Sequence, residues 1–312
     1  MSIFRQKKIL VIALGGNALI KRGQRGTFEE QVENLKKIAP TIARLSKDYS
    51  IILTHGNGPQ VGMLYLQQES ISDLPSMPLH ACVAMTQSLI GYMIQQAFSF
   101  VEKNLETVVI TTRVLVDKND PAFKNPSKPI GPYYTEKEAR KFEKDKGWKM
   151  VYVEGKGWRR VVPSPRPQKI LELGIIKETL SVERIVVAVG GGGIPVIEEK
   201  NGYRGVDAVI DKDLASSLLA SEIGAEKFII VTDVEGVYLD YGKPTARLLD
   251  GICASDAIKL VEEGYFPPGS MGPKVEAAAR FVMITGRTAV IGLLDNLESV
   301  VNSLSGTIIK KC

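Results

Sequence analysis

Three glycine-rich turns each follow a short apolar run, and this repeated pattern constrains the fold more than any other feature of the sequence. The turns are Gly15-Gly16-Asn17 after Ile9–Leu14, Gly56-Asn57-Gly58 after Ile51–Thr54, and Gly190–Gly193 after Arg184–Val189. Apolar runs of this length are typical of buried strands, and bare amide groups at the ends of parallel strands can bind an anion. Neither a Gly-x-x-x-x-Gly-Lys-Ser/Thr loop nor a Gly-x-Gly-x-x-Gly motif is present. The pattern therefore predicts phosphate chemistry at one edge of a parallel sheet, through a less common motif.

Short β-branched runs alternate with stretches of helical period, which indicates an α/β fold with helices on both faces of a parallel sheet. Strands are predicted near Ile9–Leu14, Ile51–Thr54, Thr107–Val114, Ile185–Val189, Phe228–Thr232 and Thr288–Gly292. Helices are predicted at Phe28–Lys47, Leu214–Ile223, Asp256–Glu263 and Lys274–Thr285. Thr27 and Glu30 would form a capping box at the start of the first helix.

One further helix, from Cys82 to Val101, is apolar almost all round. Its apolar residues include Met85, Leu89, Ile90, Met93 and Ile94. Such a helix is either covered on several sides within the monomer or used at a subunit interface. We expect burial within the monomer.

The composition changes between Asp117 and Pro167, where prolines crowd around charged residues and both tryptophans. Prolines at this density interrupt the alternation of strands and helices. The segment also carries too many aromatic residues for a solvated tether. These are Phe123, Tyr133, Tyr134, Trp148, Tyr152 and Trp158. We therefore expect a lid or protruding subdomain here.

Composition excludes several classes of protein. The net charge of +5 comes from 40 basic and 35 acidic residues mixed along 312 positions, which does not favour a nucleic-acid partner. No apolar stretch approaches the roughly 20 residues of a membrane-spanning helix, so we expect a cytoplasmic protein. Cys82, Cys253 and Cys312 are widely spaced and odd in number, and we interpret them as buried or incidental thiols. Two histidines leave little room for a histidine triad or a multi-histidine metal site.

Lysines beside glycines are the side chains to seek, because phosphoryl transfer needs positive charge around the migrating group. Lys128 lies between two prolines of the insert, Lys212 lies between Asp211 and Asp213, and Lys274 follows a glycine-rich segment near a helix start. For each lysine a solvated surface charge is the alternative.

The carboxylates leave two readings open. Asp211 and Asp213 would be helix caps, or would orient ammonium groups or help to place Mg²⁺, and Asp233 would be a turn residue or a nucleotide contact. His55 would donate to substrate or be a satisfied histidine at a strand end, which is the commoner case. His80 is expected to be structural.

Seven segments taken together closely resemble carbamate kinases, in order and nearly end to end. They are Val11–Leu19, Thr54–Gly62, Asn125–Pro132, Val161–Pro165, Gly190–Pro195, Val209–Ala215 and Gly269–Lys274. The resemblance implies a three-layer αβα sandwich on a mainly parallel eight-stranded sheet, with a small protruding lid subdomain. It implies an N-terminal lobe for carbamate (residues 1–117 with 163–180), a lid (118–162) and a C-terminal nucleotide-binding lobe (181–312). It also implies a homodimer.

The implied reaction is ATP plus carbamate giving ADP plus carbamoyl phosphate, used in many relatives to make ATP in arginine or agmatine breakdown. Mg²⁺ would be held mainly by the nucleotide phosphates, with no direct protein ligand. The family pattern assigns catalysis to Lys128, Lys212, Lys274 and Asp213. It assigns the substrate and the phosphoryl group to Gly15, Gly16, Asn17, Gly56, Asn57, Gly58, Gly191 and Gly192. It assigns the nucleotide to Asp233, Tyr238, Gly269, Ser270 and Met271.

The sequence also departs from the family pattern. Ala13 stands where many superfamily members carry a phosphate-binding lysine, and Lys128 is the candidate substitute. Arg113 and Val114 replace the usual Gln and Thr, and Lys156 replaces a common arginine, with possible effects on acceptor binding or insert docking. The alternatives are another acyl-phosphate-forming kinase of the same fold, acting on acetylglutamate, glutamate or a nucleoside monophosphate, and a non-catalytic nucleotide sensor.

Overall fold

The computed structural model describes residues 7–21, 23–70, 73–180, 184–266 and 270–312. Within these ranges the strands are β1 (Lys8–Leu14), β2 (Tyr49–His55), β3 (Glu106–Val109), β4 (Arg113–Val116), β5 (Lys128–Tyr134), β6 (Lys149–Val153), β7 (Gly157–Val162), β8 (Pro167–Ile170), β9 (Arg184–Val187), β10 (Ile194–Glu199), β11 (Gly202–Gly205), β12 (Lys227–Thr232), β13 (Tyr238–Leu239), β14 (Arg247–Leu248), β15 (Gly251–Cys253), β16 (Thr288–Leu293) and β17 (Thr307–Lys310). The α-helices of the same ranges are α1 (Phe28–Leu45), α2 (Gly58–Gln68), α3 (Leu79–Ser99), α4 (Glu136–Lys146), α5 (Leu173–Thr179), α6 (Lys212–Ile223), α7 (Ala254–Glu262), α8 (Met271–Thr285) and α9 (Leu297–Val301).

An eight-stranded sheet in the order β15-β17-β16-β12-β1-β2-β9-β3 forms the centre of the molecule. Strands β16, β12, β1, β2, β9 and β3 run parallel to one another, and β17 with β15 runs in the opposite direction. The prediction of a mainly parallel eight-stranded sheet is confirmed.

Side chains of the central strands alternate between two hydrophobic cores. In β1, Val11 and Ala13 face the core shared with α6, α7 and α8, whereas Leu10, Ile12 and Leu14 face the core shared with α1, α3 and α9. This period of two, buried on both faces, explains the continuous apolar runs in the sequence. The three-layer αβα arrangement is confirmed.

Helix α1 begins as the sequence predicts. The Thr27 hydroxyl accepts from the Glu30 amide, and the Glu30 carboxylate accepts from the Thr27 amide, which completes the capping box. The helix ends at Leu45, two residues before the predicted end.

The predicted single strand Thr107–Val114 is wrong. Strand β3 ends at Val109 in the central sheet, and β4 begins at Arg113 in a second sheet of order β11-β10-β4-β8. Between them, the Gln87 side chain accepts from the Thr112 amide at 2.8 Å and donates to the Thr112 carbonyl at 3.1 Å. Gln87 thus occupies the Thr112 amide, and the Thr112 carbonyl also accepts from the Ile194 amide of β10 at 2.9 Å, so the chain leaves one sheet and enters the other.

Strand pairing also bears on where the lobes divide. Strand β9 lies beyond residue 180, yet it pairs with β2 and β3, and β10 pairs with β4. The lobe boundaries therefore stay predictions, and the pairing favours a division later in the chain.

Strands β5, β7 and β6 form a separate antiparallel sheet inside the proline-rich insert, with α4 packed on it. Its small core contains Ala139, Trp148 and Met150, and Phe142 stacks on Trp148 with ring centroids 4.8 Å apart. The guanidinium carbon of Arg160 lies 4.1 Å from the centre of the Trp148 ring. The aromatic residues thus build an ordered unit, which we call the lid.

The lid packs against α2 at a pair of glycines. A Cβ atom on Gly62 would overlap the backbone of Gly131, which itself has a φ of 71°. Only glycine permits backbones to approach this closely, and Gly131 also needs the left-handed conformation. Strand β5 is thereby held against the helix that begins at Gly58.

Helix α3 is only partly buried, so the expectation of burial within the monomer is wrong for one side of it. Ile90 and Ile94 are fully buried, but Met85, Leu89 and Tyr92 are 43%, 41% and 54% exposed. The buried residues face α1 and the central sheet, and that packing covers only part of the helix circumference.

The interpretation of all three cysteines as thiols is also wrong. Cys253 and Cys312 form a disulfide across 59 positions, whereas Cys82 is a buried free thiol. Strand β15 pairs with β17 so that Cys253 lies opposite Lys310, which brings the last residue of the chain beside it. The spacing of the cysteines in the sequence does not indicate this pairing of β15 with β17.

Among the described residues, no helix combines the length and apolar character required to cross a membrane.

Candidate active site

A cavity of about 230 Å³ lies where the glycine turns after β1 and β2 meet the starts of α2, α6 and α8. From the predicted turn residues, it is lined by Gly16, Gly56, Asn57, Gly58 and Gly191. The other predicted site residues that line it are Lys128, Lys212, Asp213, Ser270 and Lys274. The fold thus gathers segments from both halves of the chain and from the lid around one small space.

Three of the residues predicted to contact the substrate, Gly15, Asn17 and Gly192, do not line this cavity. Gly15 is buried, and a Cβ there would lie 2.9 Å from the Val231 carbonyl oxygen. A Cβ on Gly192 would overlap the Ile210 carbonyl. Both glycines therefore serve close packing, and the predicted contacts of all three residues with substrate stay predictions.

The third glycine turn contains strained backbone. Val189 has a φ of 54°, in the left-handed region that β-branched residues rarely adopt, and its amide donates to the Thr112 hydroxyl at 3.0 Å. A Cβ on Gly191 would overlap the Asn57 side chain, whose amide nitrogen donates to Thr86 of α3 at 2.8 Å. Asn57 thus fixes the second and third turns against each other.

Asp213 links two of the predicted catalytic lysines. Its Oδ1 lies 2.5 Å from Lys212 Nζ and its Oδ2 lies 2.9 Å from Lys274 Nζ. The Asp213 side chain is 3% exposed, and the two lysine side chains are 10% and 16% exposed. One buried carboxylate therefore brings two ammonium groups to the same wall of the cavity.

The third lysine reaches the same helix end from the lid. Lys128 Nζ lies 2.5 Å from Asp211 Oδ2. The other oxygen of Asp211 caps α6 by accepting from the Asp213 amide at 2.9 Å and the Leu214 amide at 3.3 Å. Both readings of Asp211 are thus realised at once, since it is a helix cap and also orients an ammonium group.

Burial and pairing set the protonation of this cluster. Burial lowers the pKa of Lys212, against the opposing effect of Asp213. Burial acts to raise the pKa of Asp213, but Lys212 and Lys274 outweigh it and hold that pKa well below its usual range. For Lys274, burial acts to lower the pKa, and Asp213 outweighs it and raises the pKa. At neutral pH Asp213 is therefore ionised, between the side chains of Lys212 and Lys274.

His55 lies beneath the turns and not in the cavity. It is fully buried, and its Nδ1 donates to the Gly56 carbonyl at 3.0 Å, whereas no described group pairs with Nε2. Burial lowers the pKa of His55 to about 4, so the ring is neutral at pH 7. The possibility that it donates to substrate is not supported by this position. His80 packs against Gly205, away from the cavity.

A second cavity, of about 530 Å³, contains the predicted nucleotide residues. Asp233, Tyr238, Ser270 and Met271 line it. Tyr238 and Tyr241 meet edge to face, with ring centroids 5.7 Å apart, and the Tyr238 hydroxyl donates to Glu235 at 2.8 Å. Aromatic walls of this kind suit a nucleobase. The predicted contact at Gly269 lies outside the described residues.

Ser270 lines both cavities, so the two spaces adjoin. Asp233 of the larger cavity acts electrostatically on Lys274 of the smaller one and contributes to its raised pKa. A phosphate chain that extended from the larger cavity past Ser270 would therefore end at the lysine cluster. The arrangement can stabilise charge on a phosphoryl group through backbone amides and ammonium groups.

Sequence reasoning missed some residues of both cavities. Arg159, in strand β7 of the lid, lines the smaller cavity. Tyr241, Lys243 and Phe266 line the larger one. A tyrosine pair three positions apart after a strand was the available signal, and no local signal singled out Arg159.

The departures from the family pattern lie away from the smaller cavity. Arg113 pairs with Glu172 at 2.7 Å, and Val114 is buried against Gly193. Lys156, in the β6–β7 turn, has its Nζ 6.0 Å from the centre of the Tyr133 ring. These contacts give the first two substitutions structural roles and place Lys156 on the lid.

Comparison with known proteins agrees with this geometry. The sequence matches the amino acid kinase family over residues 8–292. It is 49% identical to a carbamate kinase of Thermococcus kodakarensis over 311 residues, covering 96% of this chain and 98% of the relative. The structure is similar to that of a carbamate kinase from Giardia lamblia bound to citric acid, with a TM-score of 0.92, 42% identity, and coverage of 98% of this chain and 99% of the other. The Giardia lamblia enzyme bound to AMP-PNP gives a TM-score of 0.88 at 43% identity, with coverage of 98% and 99%. The chain therefore belongs to the amino acid kinase family and, within it, to the carbamate kinases.

Proposed function

We propose that this chain catalyses reversible phosphoryl transfer between ATP and carbamate, forming ADP and carbamoyl phosphate. One observation carries the proposal within the site: Lys128, Lys212 and Lys274 meet two carboxylates at the start of α6, in a cavity that adjoins the larger one at Ser270. The larger cavity would hold the nucleotide, and the smaller would hold carbamate and the migrating phosphoryl group. The family relationship supports the same reaction.

The acceptor explains why no general base is needed. Carbamate is already an oxyanion, so it can attack the γ-phosphoryl group without losing a proton. His55 is neutral and buried beneath Gly56, and no histidine among the described residues lines the cavity. The residues of the site would therefore act by positioning and by charge stabilisation, with Lys128, Lys212 and Lys274 around the transferred group.

The turns would supply backbone donors for the same group. Gly16, Gly56, Gly58 and Gly191 line the cavity, and Gly58 is the first residue of α2. Amides at a helix start favour phosphate oxygens. In this proposal Asp213 orients Lys212 and Lys274, and Asp211 orients Lys128.

Mg²⁺ would enter with the nucleotide as part of the substrate. Within the described ranges, no three His, Cys, Asp or Glu side chains come together in a way that could hold a metal ion. Asp211 and Asp213 already contact lysines. The chain thus offers no metal cage in these ranges, and Mg²⁺ bound to nucleotide phosphates would neutralise charge there.

The nucleotide cavity has support from a relative. The Giardia lamblia enzyme, 43% identical, has been solved with AMP-PNP. We propose that Asp233, Tyr238, Ser270 and Met271 border ATP or ADP in this chain, together with Gly269.

Two alternatives remain distinct from this proposal. Another acyl-phosphate-forming kinase of the fold is disfavoured by Ala13, which replaces a lysine, and by Lys128, which reaches in from the lid. A non-catalytic sensor would have no use for three lysines gathered at one cavity. We also propose that the chain forms a homodimer, with the exposed side of α3 at the interface between the two subunits. We propose that the enzyme is cytoplasmic, where ADP is available, and that it makes ATP in arginine or agmatine catabolism.

The test is ATP formation from ADP and Mg²⁺ with carbamoyl phosphate, compared with acetyl phosphate and acetylglutamyl phosphate as donors. We expect carbamoyl phosphate to give the highest kcat/KM. A preference for acetylglutamyl phosphate would identify a different kinase of the fold, and ADP binding without ATP formation from any donor would identify a sensor.

A further inference from the structure

Arg159 is the cation of the smaller cavity whose charge is not balanced by a carboxylate. Within the described part of the chain, Lys128 pairs with Asp211, and Lys212 and Lys274 pair with Asp213. Arg159 makes no ion pair there, and its Nε donates to the Gly131 carbonyl at 3.0 Å. Arg159 is partly exposed and has no carboxylate partner among the described residues, so its guanidinium group is a candidate for binding an anion.

The guanidinium group is held in place by the lid. Strand β7 carries Arg159, and strand β5 supplies both Gly131 and Tyr133 beside it. The guanidinium carbon lies 5.2 Å from the centre of the Tyr133 ring. Burial lowers the pKa of Arg159, and the groups that oppose this effect are tyrosines and not acids. An arginine nevertheless stays protonated in proteins, so this is a fixed positive charge.

Hydrogen-bond donors remain after these contacts are counted. An arginine has five N–H groups, and the bond to Gly131 uses the one on Nε. The Tyr133 side chain, whose ring lies beside the guanidinium group, cannot accept from all four N–H groups on the terminal nitrogens. The cavity that Arg159 lines is therefore the place where an additional acceptor would satisfy them.

The neighbouring Arg160 differs from Arg159, because its contacts are with the lid and with α2. Arg160 lies 4.5 Å from the Tyr65 ring and 4.1 Å from the Trp148 ring, in a different cavity on the other side of the lid. It joins the lid to α2. Arg159 lies beside the Tyr133 ring and lines the cavity that also contains Gly58 and Lys128.

The geometry points to Arg159 as the residue that binds the carboxylate-type end of the acceptor, namely the oxygens of carbamate and the carbonyl oxygen of carbamoyl phosphate. This inference rests on the proposed function. A guanidinium group presents a planar pair of donors that matches a planar carboxylate, whereas the lysines are point charges suited to the phosphoryl group. The cavity of about 230 Å³ admits a small planar anion and excludes large acceptors.

The experiment compares wild type, Arg159→Lys and Arg159→Met in ATP formation from ADP and carbamoyl phosphate. We expect Arg159→Met to raise the KM for carbamoyl phosphate by at least ~10-fold, because charge-assisted hydrogen bonds are lost, with the KM for ADP within about twofold of wild type. Arg159→Lys keeps the charge without the paired donors, and its KM for carbamoyl phosphate should lie between the two. Lys156→Met is the matched control, since it removes a lid cation beside the same Tyr133 ring but outside the cavity.

Thermal unfolding is followed for each variant, and Arg159→Lys decides the matter if Arg159→Met unfolds at the assay temperature. An unchanged KM for carbamoyl phosphate, or equal increases in both KM values, would overturn the role of Arg159 while leaving the proposed function intact. A wild-type enzyme that makes no ATP from carbamoyl phosphate would overturn the proposed function and this inference with it.

Discussion

The ammonium group of Lys128 lies 2.5 Å from a carboxylate oxygen of Asp211, although the two residues are 83 positions apart. This pair joins the lid to the first turn of α6, where Lys212 and Asp213 follow. A lysine presented by the lid thus takes its place beside two lysines presented by the central layers.

Replacing Lys128 by alanine removes the charge that the lid brings to the cavity. We expect turnover to fall by at least ~10²-fold with little change in the KM for ADP, because the group is proposed to act chiefly in the transition state. The measurement is steady-state ATP formation from carbamoyl phosphate, with the exposed Lys124→Ala as control. Turnover like that of wild type would exclude the role given to Lys128.

Replacing Asp213 by asparagine leaves Lys212 and Lys274 without their shared carboxylate. We expect the free energy of unfolding at pH 7 to fall by ~3–5 kcal/mol, as when one member of a buried ion pair is removed. The pKa of Asp213 is lowered in the folded state, so its contribution is complete above its unfolded value of 3.8 and is lost as the pH falls below it. In urea unfolding, wild type and variant should therefore differ by about 1 kcal/mol less at pH 3 than at pH 7.

The exposed pair of Asp256 and Lys259 provides the control for that experiment. Asp256→Asn removes a surface carboxylate 3.8 Å from its lysine and should change stability by less than ~1 kcal/mol. A difference between wild type and Asp213→Asn that is the same at pH 7 and pH 3 would contradict the argument.

His55 makes the stability of the protein depend on pH in a different range. Its pKa falls to about 4 on folding from an ordinary 6.5, so the unfolded chain binds a proton that the folded chain does not. Stability is complete above pH 6.5 and should decrease by ~3 kcal/mol as the pH falls towards 4. His55→Asn, which can keep a donor to the Gly56 carbonyl, should flatten the Tm profile between pH 7 and 4.5.

His80→Asn is the control, since it removes the other of the two histidines. A profile for His55→Asn as steep as that of wild type would show that the buried ring is not the titrating group.

Tyr238 tests the nucleotide cavity separately from the lysine cluster. Tyr238→Ala should raise the KM for ADP by roughly 5- to 150-fold, since stacking a base on an aromatic ring contributes ~1–3 kcal/mol. The KM for carbamoyl phosphate should stay near that of wild type. Tyr203→Ala removes an exposed tyrosine of β11 and serves as control. Equal effects on both substrates would argue against a cavity dedicated to the nucleotide.

The disulfide can be tested by counting free thiols and by measuring the stability of a variant without it. A thiol titration in denaturant without reductant should find one thiol per chain, Cys82, and three after reduction. Cys312→Ser opens a loop of 59 positions and should lower the free energy of unfolding by up to about 4 kcal/mol. Urea unfolding of the variant measures that loss. Three thiols in the unreduced protein would contradict the pairing.

Much of the central sheet could be predicted because the information is local. The runs that form β1 and β2 are apolar on both faces, and the Thr27 capping box lies within four residues. The division of β3 from β4 could not, because it depends on the Gln87 side chain 25 positions away. The same holds for the disulfide, which depends on how β15 pairs with β17.

The site divides along similar lines. Glycine turns and the lysines next to them are short motifs, so the sequence pointed to the residues that now line one cavity. The pairing of Lys128 with Asp211, and the position of Arg159, depend on how the lid folds and where it sits on α2. Those relationships arise from tertiary packing and leave no local signature.

The contact between Gly62 and Gly131 joins helix α2 to the lid strand β5. Gly62 lies about one helical turn from Gly58, which lines the smaller cavity, and Gly131 is three residues from Lys128 on the lid strand. Because no side chain separates the two backbones, a shift of the lid strand would displace α2 directly. Any movement of the lid strand would therefore also move the start of α2, where amides proposed to bind phosphate lie.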